Sequence, residues 1–221
     1  MHYLAIIGDI KHSKAIDDRY EAQERLNKVL RSINKKYSHD IAADFLITLG
    51  DEFQGLLSNA SSLVDIVGYI QREMYPICIR IGIGIGEICT RINRKAAIGA
   101  DGPAFYAARK AINEVHEREK KLKKQAPDIL IEVDGNSRLD IEQVNTILHL
   151  LKVSEGNWSD KQRYTIWDML LNGGSQEECA QRMKTTQSTV ARRLTDGYFA
   201  VYEESRNLLR EVVRQLDIDK S

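Results

Sequence analysis

Phe45-Leu46-Ile47-Thr48-Leu49-Gly50-Asp51-Glu52-Phe53-Gln54-Gly55-Leu56-Leu57 is the stretch that decides the fold of this chain. Two apolar runs, Phe45–Leu49 and Phe53–Leu57, flank Gly50-Asp51-Glu52, a short connection that holds the glycine a tight turn needs. The stretch therefore reads as a β-hairpin. A second Gly-Asp, Gly8-Asp9, ends the β-branched apolar run Tyr3–Gly8, which has the pattern of a strand buried on both faces. Neighbouring strands lie about 4.8 Å apart, so an Asp at a strand end and an Asp in an adjacent hairpin turn can share a divalent cation. Carboxylates paired in this way build metal-dependent phosphoryl-transfer sites.

Working outward, Leu26, Val29, Leu30, Ile33 and Tyr37 recur at three and four within Ser13–Tyr37, an amphipathic helix. Leu63, Ile66, Val67, Ile70 and Met74 mark a second helix ended by Pro76, and Ile77–Ile88 returns to a two-residue alternation. Ala104–Ile112 with Val115 reads as a third helix whose end, Glu117–Lys124, is densely charged, and Ile129–Val133 as another strand. After Val133 the pattern is helical only, over Ile141–Val153, Lys161–Leu171, Gln176–Met183, Ser188–Leu194 and Tyr198–Leu216. The expectation is an α+β domain over residues 1–136 followed by an all-α domain over 137–221. Gly135-Asn136-Ser137 and Ser154-Glu155-Gly156-Asn157 are the turn-rich candidates for the boundary.

Composition narrows the function classes. With 221 residues, 43% of them hydrophobic, the chain can bury a real core. Lys plus Arg and Asp plus Glu both number 32, so there is no net field to attract nucleic acid or anionic lipid, and any such binding needs a local patch. Cys78, Cys89 and Cys179 form no Cys-x-x-Cys pair for zinc or redox chemistry. The start, Met1-His2-Tyr3, runs into the first apolar segment without a basic leader, and the apolar stretch Ile77–Ile88 is broken by Arg80 and too short for a bilayer. These features set the expectation of a cytoplasmic protein with no membrane partner.

A central strand closed by one Asp and a neighbouring hairpin carrying another resembles the ferredoxin-like palm domain of class III nucleotidyl cyclases and GGDEF diguanylate cyclases. The resemblance runs over roughly residues 3–133 and extends to other residues. Arg80-Ile81-Gly82-Ile83-Gly84-Ile85-Gly86 is similar to the cyclase strand that opens Arg-Ile-Gly-Ile, and Ala107-Ala108-Arg109 to the cyclase helix ending in Ala-Ala-Arg. It implies that Asp9 and Asp51 hold Mg2+ or Mn2+, with the Ile10 carbonyl as a third ligand. It also implies that Arg109, as the catalytic arginine, reaches a nucleoside triphosphate across a homodimer interface. From the residues themselves, Lys11, His12, Ser13 and Lys14 start the first helix, where N–H groups and two ammonium groups suit phosphates, and Gly50 gives the turn its close backbone. A solvated helix start is the competing reading. Asp17, Asp18 and Arg19 read as surface residues of the helix, with Arg19 facing the metal site as the alternative, and Glu52 is a candidate supporting acid. Gly82, Gly84 and Gly86 share one strand face and fit a close-packed helix better than a phosphate. Three departures weigh against cyclisation. No Lys stands near Ile47 or Thr48 to read the base, Phe105 replaces the transition-state Asn, and Leu49 replaces the first Gly of a Gly-Gly-Asp-Glu-Phe signature.

In the helical tail, Ser175 suits an N-cap and Glu178 its capping-box partner; a turn through Lys184–Thr186 precedes a helix beginning Gln187-Ser188-Thr189. The cadence resembles the helix-turn-helix of sigma factors. It implies a DNA-reading face of Lys184, Gln187, Ser188, Arg192 and Arg193, and no acid lies between Arg182 and Arg193. A dimerising bundle built on Val201, Leu208, Val212 and Leu216 is the alternative. The two halves together resemble the SatD family. The expectation is a nucleotide- and metal-responsive DNA-binding regulator. The alternatives are a two-metal nucleotidyl cyclase or nucleotidyltransferase, and a cyclase-fold scaffold without ligand.

Overall fold

β1 (Tyr3–Ile10) occupies the middle of a five-stranded sheet, in a computed structural model that describes residues 2–135 and 141–215. The chain continues through α1 (Arg19–Lys36), β2 (Ile41–Leu49), β3 (Glu52–Leu57), α2 (Leu63–Met74), β4 (Ile79–Gly86), α3 (Pro103–Leu122) and β5 (Ile129–Val133). Strand order is β2-β3-β1-β4-β5. β1 runs antiparallel to both β3 and β4, and β5 joins β4 in parallel, a pairing that requires a crossover such as α3. The first six elements thus have ferredoxin-like βαββαβ connectivity, and the unit is α+β.

β4 is buried along its whole length because both faces are covered. On one face Gly82 and Gly84 lie directly under α3. A Cβ on Gly84 would stand 2.0 Å from the Ala104 carbonyl and 2.1 Å from the Ala108 nitrogen. The glycines therefore let helix backbone rest on strand backbone, as their shared face suggests. Ala5, Ile7, Ala104, Ala108 and Ile112 complete the layer. Both sheet edges are blunted by an asparagine side chain that satisfies a strand residue's N–H and C=O. Asn34 meets Phe45 on β2, and Asn145 meets Ile131 on β5.

β1 runs two residues past Gly8, so Asp9 sits inside the strand. α1 starts at Arg19 rather than Ser13: Ser13–Ala15 is a single 3-10 turn, and Asp18 caps α1 by accepting from the Glu21 N–H at 2.8 Å.

The helices that follow are α4 (Ile141–Gly156), α5 (Asp160–Asn172), α6 (Gln176–Arg182), α7 (Gln187–Asp196) and α8 (Phe199–Gln215). The chain divides into two compact units, Met1–His149 with Arg210–Ser221, and Leu150–Leu209. In the second unit capping boxes start α5 (Ser159 with Gln162) and α6 (Ser175 with Glu178), and Thr186 caps α7. Its core gathers Trp158, Ile166, Cys179, Ala180, Val190 and Leu194, and the Trp158 indole N–H donates to the Gly197 carbonyl at 2.9 Å. Asn136, Ser137 and Leu216, singled out from the sequence, lie outside the described residues. Among the described residues no helix is long and apolar enough to cross a membrane.

Candidate functional site

In the antiparallel register Asp9 of β1 stands opposite Arg80 of β4, on the face that α3 covers. Ala104, Ala108 and Ile112 meet the glycine row. One and two turns further, the same helix face presents His116 and Glu119 to the polar end of the strands. The Arg80 guanidinium donates from Nη1 to Asp9 Oδ1 at 2.6 Å and from Nε to Glu119 Oε2 at 2.5 Å. His116 Nε2 lies 2.8 Å from Asp9 Oδ2. Lys11 Nζ reaches Asp128 at 2.5 Å and Glu119 at 3.8 Å, and His12 Nε2 lies 3.4 Å from Glu119. Burial works against the Arg80 charge, but the Glu119 and Asp9 carboxylates more than restore it and its pKa is raised. Burial likewise pushes Glu119 up, while Arg80 and Lys11 pull it further down, so the net shift is below the usual carboxylate value.

The β2–β3 hairpin closes at Leu49 opposite Glu52, with Gly50 at φ 61° in the first turn position, where a side chain is strained. Glu52 points toward α3 and forms a two-armed ion pair with Arg109 at 2.5 and 2.9 Å. The Arg109 hydrogen bond holds the Glu52 carboxyl below its ordinary range, and the same bond raises the Arg109 pKa. Asp9, Asp51 and Glu52 line one open cleft of about 560 Å³, together with Ile10, His12, Ser13, Lys14, Arg80 and His116. A smaller cleft of about 230 Å³, lined by Arg19, Tyr20, Gln23 and Gly50, shares Ile10, Ser13 and Asp51 with it.

The sequence candidates are therefore brought together unevenly. Asp9, Ile10, His12, Ser13, Lys14 and Asp51 face one cleft, and Gly50, whose carbonyl accepts from Gln23 at 2.5 Å, faces its neighbour with Arg19. His12 lines the cleft from a left-handed backbone conformation, φ 53°. Lys11 is turned the other way: its ammonium is committed to Asp128, and its N–H to the Cys78 carbonyl. Arg109 engages Glu52 of its own chain. Arg80, His116 and Glu119 went unassigned in the sequence. Arg80 is a lone charge in an apolar strand, and His116 and Glu119 continue the Ala104-Ala108-Ile112 stripe at helical spacing.

The oxygen donors of Asp9, Asp51 and Ile10 are hard and suit magnesium or manganese. Both Asp9 oxygens are nevertheless engaged by cationic or hydrogen-bonding partners, and Glu52 is neutralised by Arg109. Among the described residues no group of three or more His, Cys, Asp or Glu is arranged to hold a metal ion. The arrangement does not fit a pair of protein-held metals. It fits at most a single ion carried in on phosphates, for which one or two carboxylates suffice.

In the second unit the basic run thins. Arg182 forks onto Asp168 at 2.7 to 3.1 Å, and Arg193 is half-buried with its guanidinium 3.3 Å from the Thr165 hydroxyl. Burial raises the Asp168 pKa, Arg182 overcomes it, and the net shift is downward. Lys184, Gln187, Ser188 and Arg192 are exposed, although the Gln187 amide donates to Gln176 at 2.8 Å.

The sequence profile of the SatD family matches residues 3–213. No curated protein matches the chain. Among solved structures, the chain is similar to the dimeric guanylyl cyclase domain of the RhoGC fusion protein from Blastocladiella emersonii. The identity there is 16%, over 51% of this chain and 73% of that one, with TM-score 0.40. A bacterial light-regulated adenylyl cyclase matches at 13% identity over 59% of this chain and 74% of that one, TM-score 0.40. A regulator of polyketide synthase expression from Bifidobacterium adolescentis matches at 12% identity over 96% and 86%, TM-score 0.28. Likenesses at these scores add nothing to what the strand order itself establishes.

Proposed function

The chain belongs to the SatD family, and on that premise we propose that its α+β unit is a nucleotide-binding domain whose cleft takes the phosphate chain of a nucleoside triphosphate. The observation that carries the reading is that Asp9 of β1 and Asp51 of the β2–β3 turn line one open cleft with Lys14, Ser13 and Arg80. Among the described residues Lys14 and Asp51 make no ion pair, so one ammonium and one carboxylate remain for an incoming phosphate and its cation. A magnesium or manganese ion would arrive on the phosphates, with Asp51 the carboxylate open to it, and would neutralise phosphate charge there. The mixed charge favours a bound anion over a strongly acidic metal cage.

The test is calorimetry of the intact chain with each nucleoside triphosphate in Mn2+, alongside product analysis of the same mixtures. Binding weakened about tenfold or more by Lys14→Ala and by Asp51→Ala is expected, since each removes one charge-assisted contact. A nucleotide product that disappears in Asp51→Ala makes the domain a nucleotidyltransferase or cyclase; binding without product makes it a sensor. No binding of any triphosphate rejects the reading and leaves a scaffold.

DNA contact by the second unit is a second reading, and it rests on the four-residue turn that joins α6 to α7 with Lys184 and Arg192 exposed beside it. A salt-sensitive mobility shift that Lys184→Ala with Arg192→Ala flattens supports it; a shift unchanged by that pair rejects it.

A further inference from the structure

Arg80 is one of three described residues that are both polar and buried, and it alone of the three lines the cleft. Its guanidinium bridges two acids of different standing. Glu119 lies on α3, outside the cleft lining, and is also approached by Lys11 and His12, whereas Asp9 opens onto the cleft with His116 beside its Oδ2 and Arg80 on its Oδ1. Releasing Asp9 would leave the arginine anchored through Glu119. A planar guanidinium has enough donors to hold one carboxylate with Nε while another arm changes partner, and phosphate oxygens match its fork as well as carboxylates do.

We infer that Arg80 is the resident counter-ion of Asp9 and moves its Nη1 arm to the phosphate chain when a triphosphate enters, so that Asp9 Oδ1, with Oδ2 still on His116, becomes available to a divalent cation only in the loaded cleft. The inference rests on the nucleotide reading above and specifies how the site is kept closed to free metal. An unpaired carboxylate in this position would attract divalent ions at all times. Pairing it with a buried arginine cancels that attraction, and a triphosphate restores it by offering Arg80 a more highly charged partner. Arg80 is in this sense a positioning residue, and binding becomes ordered, nucleotide before or together with metal.

Two measurements on the full chain separate the possibilities. In the first, Mn2+ is added alone and the free-ion EPR signal is followed. The wild type is expected to take up little ion, Arg80→Met to bind it at least about tenfold more tightly, and Arg80→Met with Asp9→Asn to fall back to the wild-type level. In the second, ATP is titrated in EDTA, free of metal, and Arg80→Met is expected to weaken binding at least about tenfold. Arg80→Lys, which keeps a charge without the fork, serves where the methionine variant does not fold, with smaller changes in the same directions. A folded Arg80 variant with unchanged Mn2+ uptake, or a gain that survives Asp9→Asn, overturns the masking. Undiminished metal-free ATP binding in that variant overturns the exchange while leaving the cleft a nucleotide site. Failure of ATP to bind the intact wild-type chain under any condition removes the nucleotide reading itself, a result the Mn2+ arm does not touch.

Discussion

At the end of the sheet a single arginine, Arg80, interrupts an apolar strand and is 9% exposed between two acids, whereas in the helical unit Arg182, Lys184, Arg192 and Arg193 crowd a run without acids. The crowded charges disperse on folding: Arg182 turns to Asp168 from the neighbouring helix α5 and Arg193 tucks against Thr165. The lone charge becomes the hub of a network of Asp9, Glu119, Lys11, Asp128 and two histidines. Density of like charge along a chain is thus a poor guide to a surface patch, because helix periodicity sends alternate members to different neighbours. A charge that the surrounding pattern would exclude must have a partner, and the partner marks a site.

This contrast is broken or sharpened most strongly by removing the arginines. Arg80→Met should cost about 2–3 kcal/mol by removing the charge-assisted hydrogen bonds to half-buried Asp9 and Glu119, which keep only their weaker histidine and lysine neighbours. Arg182→Met removes a fork onto half-buried Asp168 from a guanidinium that is itself a third exposed, and should cost less, read as a smaller fall in the urea midpoint. Equal losses would dissolve the distinction. Next comes Gly84→Ala, where the new methyl meets helix backbone rather than a yielding side chain. It should lower stability by about 1–3 kcal/mol in the same assay, without changing the helical unit's near-ultraviolet signature from Trp158 and Trp167. On the helical side Thr186→Ala removes the α7 cap and should cost about 1 kcal/mol, read as a loss of helix signal on warming.

The smallest effect concerns acid. Glu52 and Glu119 both titrate below the ordinary value of 4.5, so their folded forms hold protons less readily than the unfolded chain does. The stability they contribute is fully present above that value and is lost as pH falls through the depressed values. Arg109→Met should remove the Glu52 share, under about 1 kcal/mol for so exposed a pair, and its stability curve should converge on the wild-type curve at low pH. Parallel curves would show that Arg109 acts on Glu52 through packing alone.

Most of the fold was legible because its signals are local. The Gly50-Asp51 turn, the two-residue alternation of β4, the three-and-four spacing of α1 and α2, and the Ser175–Glu178 capping box each specify structure within a few residues. β5 has the bounds its apolar run suggests, Ile129–Val133. The site was legible only in part, since its partners come from elements far apart in sequence. Asp9 and Asp51 announce themselves through glycine neighbours. His116 and Glu119 sit where the apolar stripe of α3 gives way to Glu117–Lys124, a run that reads as solvated until the helix is laid on the strands. Lys11 shows the converse. It adjoins residues that face the cleft, but its N–H is held by the Cys78 carbonyl and its ammonium by Asp128 instead.

The most direct test is a crystal structure of the full chain grown with Mn2+ and a non-hydrolysable nucleoside triphosphate. The account predicts triphosphate density in the cleft within hydrogen-bond reach of Lys14 and of an Arg80 that has let go of Asp9, with one anomalous manganese peak held by Asp51 and the released Asp9. An empty cleft with Arg80 still closed on Asp9, or a nucleotide bound elsewhere on the molecule, would contradict it.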